Sequence, residues 1–158
     1  MICTDLSFAS VFLSNCVLLL NQNAAKASVI ASLVERLVAT GRLHGEHAPR
    51  IIDEICRREH LASTAFGHGL AFPDLRTPMV SGFMGAVGFQ PSGIAFDSND
   101  GKPTKLVFLT LSPCADRSDH DELLSRLVSL LSNKAKTIRL TTSDSIDDLH
   151  QTLCQIGQ

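Results

Sequence analysis

The sequence predicts a single α/β domain over residues 1–158, with a mixed β-sheet flanked by helices on both faces. Apolar residues recur at three- and four-residue spacing in the early and late parts of the chain, the mark of helices with one buried face. Between them lie glycine-rich apolar runs that fit strands. The order, in which helices alternate with strands, strands then run together and helices return, favours one sheet covered on both sides. With 158 residues, 44% hydrophobic and 19% charged, the chain has enough apolar surface for one sizeable core.

The elements follow in order. Cys16–Leu20 is a short apolar run that fits a first, partly buried strand. From Asn23 the pattern turns helical through Val29, Ile30, Leu33, Val34, Leu37 and Val38, and Gly41 supplies a stop. Ala48, Ile51, Ile52, Ile55 and Cys56 form one face of a second helix ending near Arg58. Ala65–Phe72 and Met79–Phe89 read as strands, and Leu106–Leu111, between Pro103 and Pro113, as a strand buried on both faces. A leucine-rich helix through Leu123, Leu124, Leu127, Leu130 and Leu131 comes next, with Ser118 or Asp119 as its cap. Thr137–Leu140 is ambiguous. Ser143 opens a last helix with Ile146, Leu149, Leu153 and Ile156 on one face, and Asp147 and Asp148 in its first turn suit the helix dipole. No repeat, linker or low-complexity tract interrupts this plan.

Composition excludes several classes of function. A formal net charge of −2 without any Lys/Arg cluster gives no footprint for nucleic acid. The chain has no Trp or Tyr, so stacking platforms for bases or sugars are scarce. The five cysteines Cys3, Cys16, Cys56, Cys114 and Cys154 are odd in number, widely spaced and form no Cys-x-x-Cys, so they read as reduced packing residues. No pair of Cys or His on a local element has zinc-ligand spacing, and the His44/His47 pair lies in a loop without a carboxylate framework; no metal or other cofactor is expected. The Cys16–Leu20 run is too short for a signal or a membrane span and no basic n-region precedes it. Free thiols then place the chain in a reducing cytoplasm.

The densest local signal is the stretch from Arg58 to Asp74: a helix end, a turn, a glycine-flanked apolar strand, and a proline that stops the strand. Loops at strand ends are where α/β scaffolds expose reactive groups. Arg58-Glu59, then Ser63-Thr64, Gly67-x-Gly69 and Ala71-x-Pro73 resemble the signature of the type-2 EIIA domains of the phosphoenolpyruvate-dependent sugar phosphotransferase system (PTS), the mannitol, fructose and nitrogen-regulatory group. Ile94-Ala95-Phe96-Asp97 with Pro103 resembles that family's second turn, and Pro113 with His120 and the leucine-rich helix resembles its third motif. The order and spacing of elements match over roughly residues 6 to 156.

The resemblance implies a site. The family's phosphorylated histidine directly follows the proline, where this chain has Asp74; the supporting histidine falls on His120 and the signature arginine on Arg58. His68 stands between the two glycines. Around a phosphate, Arg58 would act as a fork-shaped anion clamp and His120 as a donor or orienter. Asp74 is no simple replacement: an ionised carboxylate repels an incoming dianion, and aspartyl phosphates usually need a divalent metal held by further carboxylates. Asp74 beside Arg58 and imidazoles would instead form a charged pocket that weakly imitates a bound phosphate. Acceptance of phosphate on His68 requires the chain to bend at Pro73, because six residues of strand span roughly 20 Å.

Plainer roles stand beside each assignment. Asp74 suits a turn after proline, His120 a helix start, Arg58 a helix C-terminus and His68 a polar position on an edge strand. Two expectations for function follow. The first is an EIIA-like PTS protein with a lost or altered phosphohistidine relay, acting by binding a regulatory target. The second is a working phosphocarrier that takes phosphate from an HPr-like donor through His68, His120 or Asp74. By resemblance, the partners are an HPr-like phosphocarrier and EIIB or a regulatory target protein.

Overall fold

The computed structural model describes residues 6–115 and 117–157. A short helix α1 (Phe8–Val11) and a 3-10 turn at Ser14–Cys16 lead into strand β1 (Val17–Leu19). Helices α2 (Lys26–Ala39) and α3 (Ala48–Leu61) follow as a pair, α3 opening with Pro49 in its first turn, where a missing N–H costs nothing. Four strands then run together: β2 (Leu70–Ala71), β3 (Asp74–Thr77), β4 (Met84–Ile94) and β5 (Thr104–Pro113). Helices α4 (Arg117–Val128), α5 (Lys134–Thr141) and α6 (Ile146–Ile156) complete the chain.

The sheet is mixed. β4 and β5 pair antiparallel at its centre, with Val87 opposite Phe108, and β1 lies parallel to β4 on one side. On the other side β2 and β3 lie end to end along β5, both parallel to it. β5 is buried on both faces, which explains its mostly apolar sequence. Its Val107 and Leu109 meet Leu33, Leu37, Ile51 and Ile55 of α2 and α3. Leu106 and Phe108 point the other way into a second core with Phe12, Leu123, Leu127, Leu149 and Leu153. A Cβ at Gly85 would sit 2.4 Å from Phe12 Cε1 and 2.8 Å from the Leu109 carbonyl, so glycine is required where this second core closes on the sheet.

Several local expectations are revised. The strand expected over Ala65–Phe72 shrinks to Leu70–Ala71, because Gly67, His68 and Gly69 have φ of +125°, +58° and +77° and form a turn closed by the Leu70 N–H on the Gly67 carbonyl. Pro73 does not end strand pairing: β3 begins at the next residue. Proline is tolerated there because this is the sheet's edge, and its carbonyl still accepts from Thr110 N at 3.0 Å. The strand expected at Met79–Phe89 runs from Met84 to Ile94 instead, with an irregular register between Phe89 and Ile94 around Pro91 and Gly93. Ser118 and Asp119 lie inside α4, so neither caps it, and Thr137–Leu140 is helical. The last helix is capped by Ser145, whose Oγ accepts from Asp148 N, while Ser143 bonds back to carbonyls at the end of α5. These changes leave β5 intact, and β3 still pairs with it from Asp74 to Thr77.

Candidate functional site

β3 lies beside β5 with Asp74 opposite Thr110 and Arg76 opposite Ser112. Side chains alternate along an edge strand, and Phe72 belongs to the α4/α6 core while Leu75 packs toward α2 and α3. Asp74 therefore faces α4. There its Oδ2 lies 3.3 Å from Nε2 of His120, in the first part of α4, with the two side chains only 14% and 10% exposed. The other ring nitrogen, Nδ1, lies 2.7 Å from the hydroxyl of Ser112, which is wholly buried on β5.

Chemistry assigns the protons. A carboxylate only accepts, so the His120 Nε2–H donates to Asp74. In the neutral ring Nδ1 then accepts from the Ser112 hydroxyl; on protonation it donates instead, and Ser112 serves either way. Asp74, His120 and Ser112 thus form a chain of hydrogen bonds linking the edge strand, α4 and β5. Two residues before Ser112 on β5, on the same face, Thr110 Oγ1 is buried and has no hydrogen-bond partner among the described residues. It leaves a spare hydroxyl beside the pair.

Arg58 does not join this cluster. It sits in the last turn of α3, a helix packed against β3, but its side chain is exposed and makes no hydrogen bond or ion pair with Asp74 or His120. The expected Asp74–Arg58 salt bridge is therefore replaced by Asp74–His120. His68 is also separate. β2 and β3 run straight along β5 without folding back at Pro73, so His68 and Asp74 lie at opposite ends of this path, roughly 20 Å apart at strand rise. The His68 backbone N–H is held by Asp100 Oδ2 at 3.2 Å, its side chain is exposed, and its backbone is left-handed.

Glu59 turns out to organise the signature. It is almost fully buried, accepts from the Thr64 N–H and hydroxyl, and forms a 2.8 Å ion pair with Lys26 at the start of α2. Lys26 Nζ also reaches Ser63 Oγ at 3.4 Å and lies 4.8 Å above the Phe96 ring, while Ser63 Oγ donates to the Phe96 carbonyl. One buried carboxylate thus fastens the loop after α3 to α2 and to the Ile94–Asp97 turn. Lys26 gave no local sequence signal, and Ser112 was hidden inside an apolar strand. The pairing of Glu59 with Thr64 in the signature was the readable clue. Nearby, burial together with the Asp53 and Glu59 carboxylates pushes the Cys56 thiol above its ordinary range, against the opposing pull of Lys26.

A family model described as phosphoenolpyruvate-dependent sugar phosphotransferase system, EIIA 2, matches residues 10–156. The fructose-specific EIIA component of Haloferax volcanii is 32% identical over 133 residues, 84% of this chain and 85% of that protein. The nitrogen regulatory protein of Pseudomonas aeruginosa is 32% identical over 127 residues, 80% of this chain and 79% of its own length. Among solved structures, the nitrogen regulatory protein IIA-Ntr of Neisseria meningitidis superposes with a TM-score of 0.79 at 27% identity, covering 92% of this chain and 98% of that one. Enzyme IIA-mannitol of Escherichia coli, solved in complex with phosphorylated enzyme IIB-mannitol, shares the fold at a TM-score of 0.71 and 22% identity, over 92% of this chain and 99% of that one. With its mixed sheet, its signature turn fastened by Glu59, and its polar cluster at the end of β5, the chain belongs to the type-2 EIIA family of the phosphoenolpyruvate-dependent sugar phosphotransferase system.

Proposed function

We infer that this chain is an EIIA-type regulatory domain of the phosphotransferase system that acts by binding a protein partner, with its phosphohistidine relay lost or altered. Asp74 takes the place that the family gives to the phosphorylated histidine. The observation that carries the reading is the Asp74–His120 pair, backed by Ser112. A carboxylate held in this way brings an acceptor pair and one negative charge to the spot where a phosphoryl group would stand, a weak imitation of it. It also opposes chemistry there. An incoming dianion meets an ionised carboxylate, and the imidazole that remains has both nitrogens committed to protein partners. Thr110, opposite Asp74 in register, is a hydroxyl and adds no second carboxylate for the cation that an aspartyl phosphate normally uses.

On this reading the surface around β3 and α4 presents one fixed state to its partner. By the family's habits, that partner is EIIB, as in the mannitol complex, or a regulatory target as the nitrogen regulatory relatives suggest; an HPr-like protein would be the donor of any residual relay. Among the described residues no helix is long and apolar enough to cross a membrane, and cytoplasmic action is part of the proposal. A working phosphocarrier is the second reading. It would accept phosphate through His68, His120 or Asp74, and of these His68 has a ring that is exposed and free of protein hydrogen bonds.

Incubation with phosphoenolpyruvate, the general phosphotransferase enzyme and an HPr-like donor, followed by intact-mass measurement, decides between them. No gain by the native chain, with one phosphate gained by Asp74→His, is the expected result. A phosphate on the native chain that is stable to base and labile to acid would overturn the regulatory reading. Peptide mapping would then assign it to His68 or His120.

A further inference from the structure

At the far end of the sheet from Asp74, a cavity of about 430 Å³ lies between the turn around His68 and one face of α5. Its floor is apolar. Residues 134, 137, 138 and 141 recur at the spacing of a single helix face, and Leu131 comes from the turn before α5. The hydroxyls in the wall are already committed: Thr137 donates to the Leu130 carbonyl, Thr141 to the Thr137 carbonyl and Ser132 to the Ser129 carbonyl. Carbon is what these threonines have left to offer, and Ile138 stays 49% exposed beside them.

The rim is cationic. Lys102 and Lys134 border the cavity with His68, and among the described residues neither lysine is in an ion pair. The Asp100 carboxylate, which also feels the Lys102 charge, accepts hydrogen bonds from Ser98 Oγ, Lys102 N and His68 N, and Lys134 has no such neighbour among the described ion pairs. His68 itself adopts φ +58°, a conformation that glycine takes more cheaply, between two glycines that are also left-handed.

We propose that this cavity is a binding site for a small amphiphilic anion, a carboxylate, sulfonate or phosphate head on an apolar body. The head meets Lys102, Lys134 and His68 while the body covers Leu131, Ile138 and the threonine methyls. The volume fits a small-molecule site, and the proposal does not depend on what Asp74 does.

The probe is 8-anilinonaphthalene-1-sulfonate, titrated by fluorescence against the native chain, with chemical-shift mapping of the bound complex. Saturable binding with shifts at Leu131, Ile138 and Thr141 is expected. Lys102→Glu and Lys134→Glu should each weaken it about tenfold, the cost of a lost charged contact. His68→Gly should weaken it as well, while leaving the unfolding midpoint unchanged or raised, since glycine takes the φ of +58° at no steric cost. All three positions are exposed, so these variants fold. Inorganic phosphate alone should bind far more weakly. Absence of saturable binding, shifts confined to the Cys56–Leu61 end of α3, affinity indifferent to both lysine reversals, or equal affinity for inorganic phosphate would each overturn the proposal. Co-sedimentation with anionic phospholipid vesicles that the probe cannot displace would assign the basic rim to a lipid surface and overturn it as well.

Discussion

The Asp74 carboxylate and the His120 imidazole, carried by an edge strand and by the first turns of α4, meet at 3.3 Å with both side chains largely withdrawn from water. The ring is fixed from behind by Ser112 at 2.7 Å. Three residues from separate segments thereby define one orientation of an imidazole, and each can be removed in turn.

Asp74→Ala leaves the His120 Nε2–H facing a site without its acceptor, and a cost of about 1–3 kcal/mol is expected. Asp74→Asn retains an acceptor oxygen and should cost less. Urea unfolding measures both, and ring-nitrogen NMR of His120 reports the tautomer directly. Equal stability of native, Asn and Ala forms would mean that the pair contributes nothing. Ser112→Ala should release the ring's tautomeric preference, which the same spectra detect.

Loss of Glu59 should also destabilise the fold. Glu59→Ala leaves Lys26, which is 17% exposed, with the exposed Asp97 at 3.8 Å as its counter-ion and removes the acceptor for two groups of Thr64; a loss of about 1–3 kcal/mol from the unsatisfied buried groups is expected. The loop at 62–66 should then become the first site of limited proteolysis. Lys26→Met, which removes the cation but keeps much of the apolar stem over Phe96, should be destabilising too, because it leaves the carboxylate uncompensated.

Gly85→Ala tests the packing between α1 and the sheet. The new methyl would meet Phe12 and the Leu109 carbonyl, and backbone cannot yield as a flexible side chain can. A loss of about 1–3 kcal/mol in denaturant unfolding is expected from overpacking. Phe12→Leu in the same chain should recover part of it by clearing the ring.

Thiol reactivity carries a pH signature. Burial raises the Cys154 thiol above its ordinary range, and burial with neighbouring carboxylates raises Cys56. A raised thiol holds its proton more tightly in the folded chain than in the unfolded one. Its contribution to stability is present below the ordinary thiol pKa and is lost as pH rises through the raised value. Iodoacetamide at pH 8 should therefore label exposed Cys114 before Cys56 and Cys154, with the latter two catching up only at higher pH. Faster labelling of Cys56 than of Cys114 would contradict this.

The sequence by itself determined the helices with a clear apolar face, the doubly buried β5, the mixed sheet, and the family, through signature residues that lie close together in the chain. Those features are local: a period of 3.6, a continuous apolar run between prolines, and a string of glycines can each be read without knowing any neighbour. Only the tertiary structure decided which side chains meet. Asp74 faces His120 because an edge strand alternates and α4 covers that face. Ser112 sits behind the ring because β5 runs parallel to β3. Arg58, next to Glu59 in sequence, points to solvent while Glu59 is buried, since neighbouring positions on a helix face different directions. Even the Gly67–Gly69 turn, placed within a strand by its apolar flanks, followed from backbone angles that composition does not encode. Pairings between distant segments depend on register and helix rotation, and those are properties of the packed core as a whole.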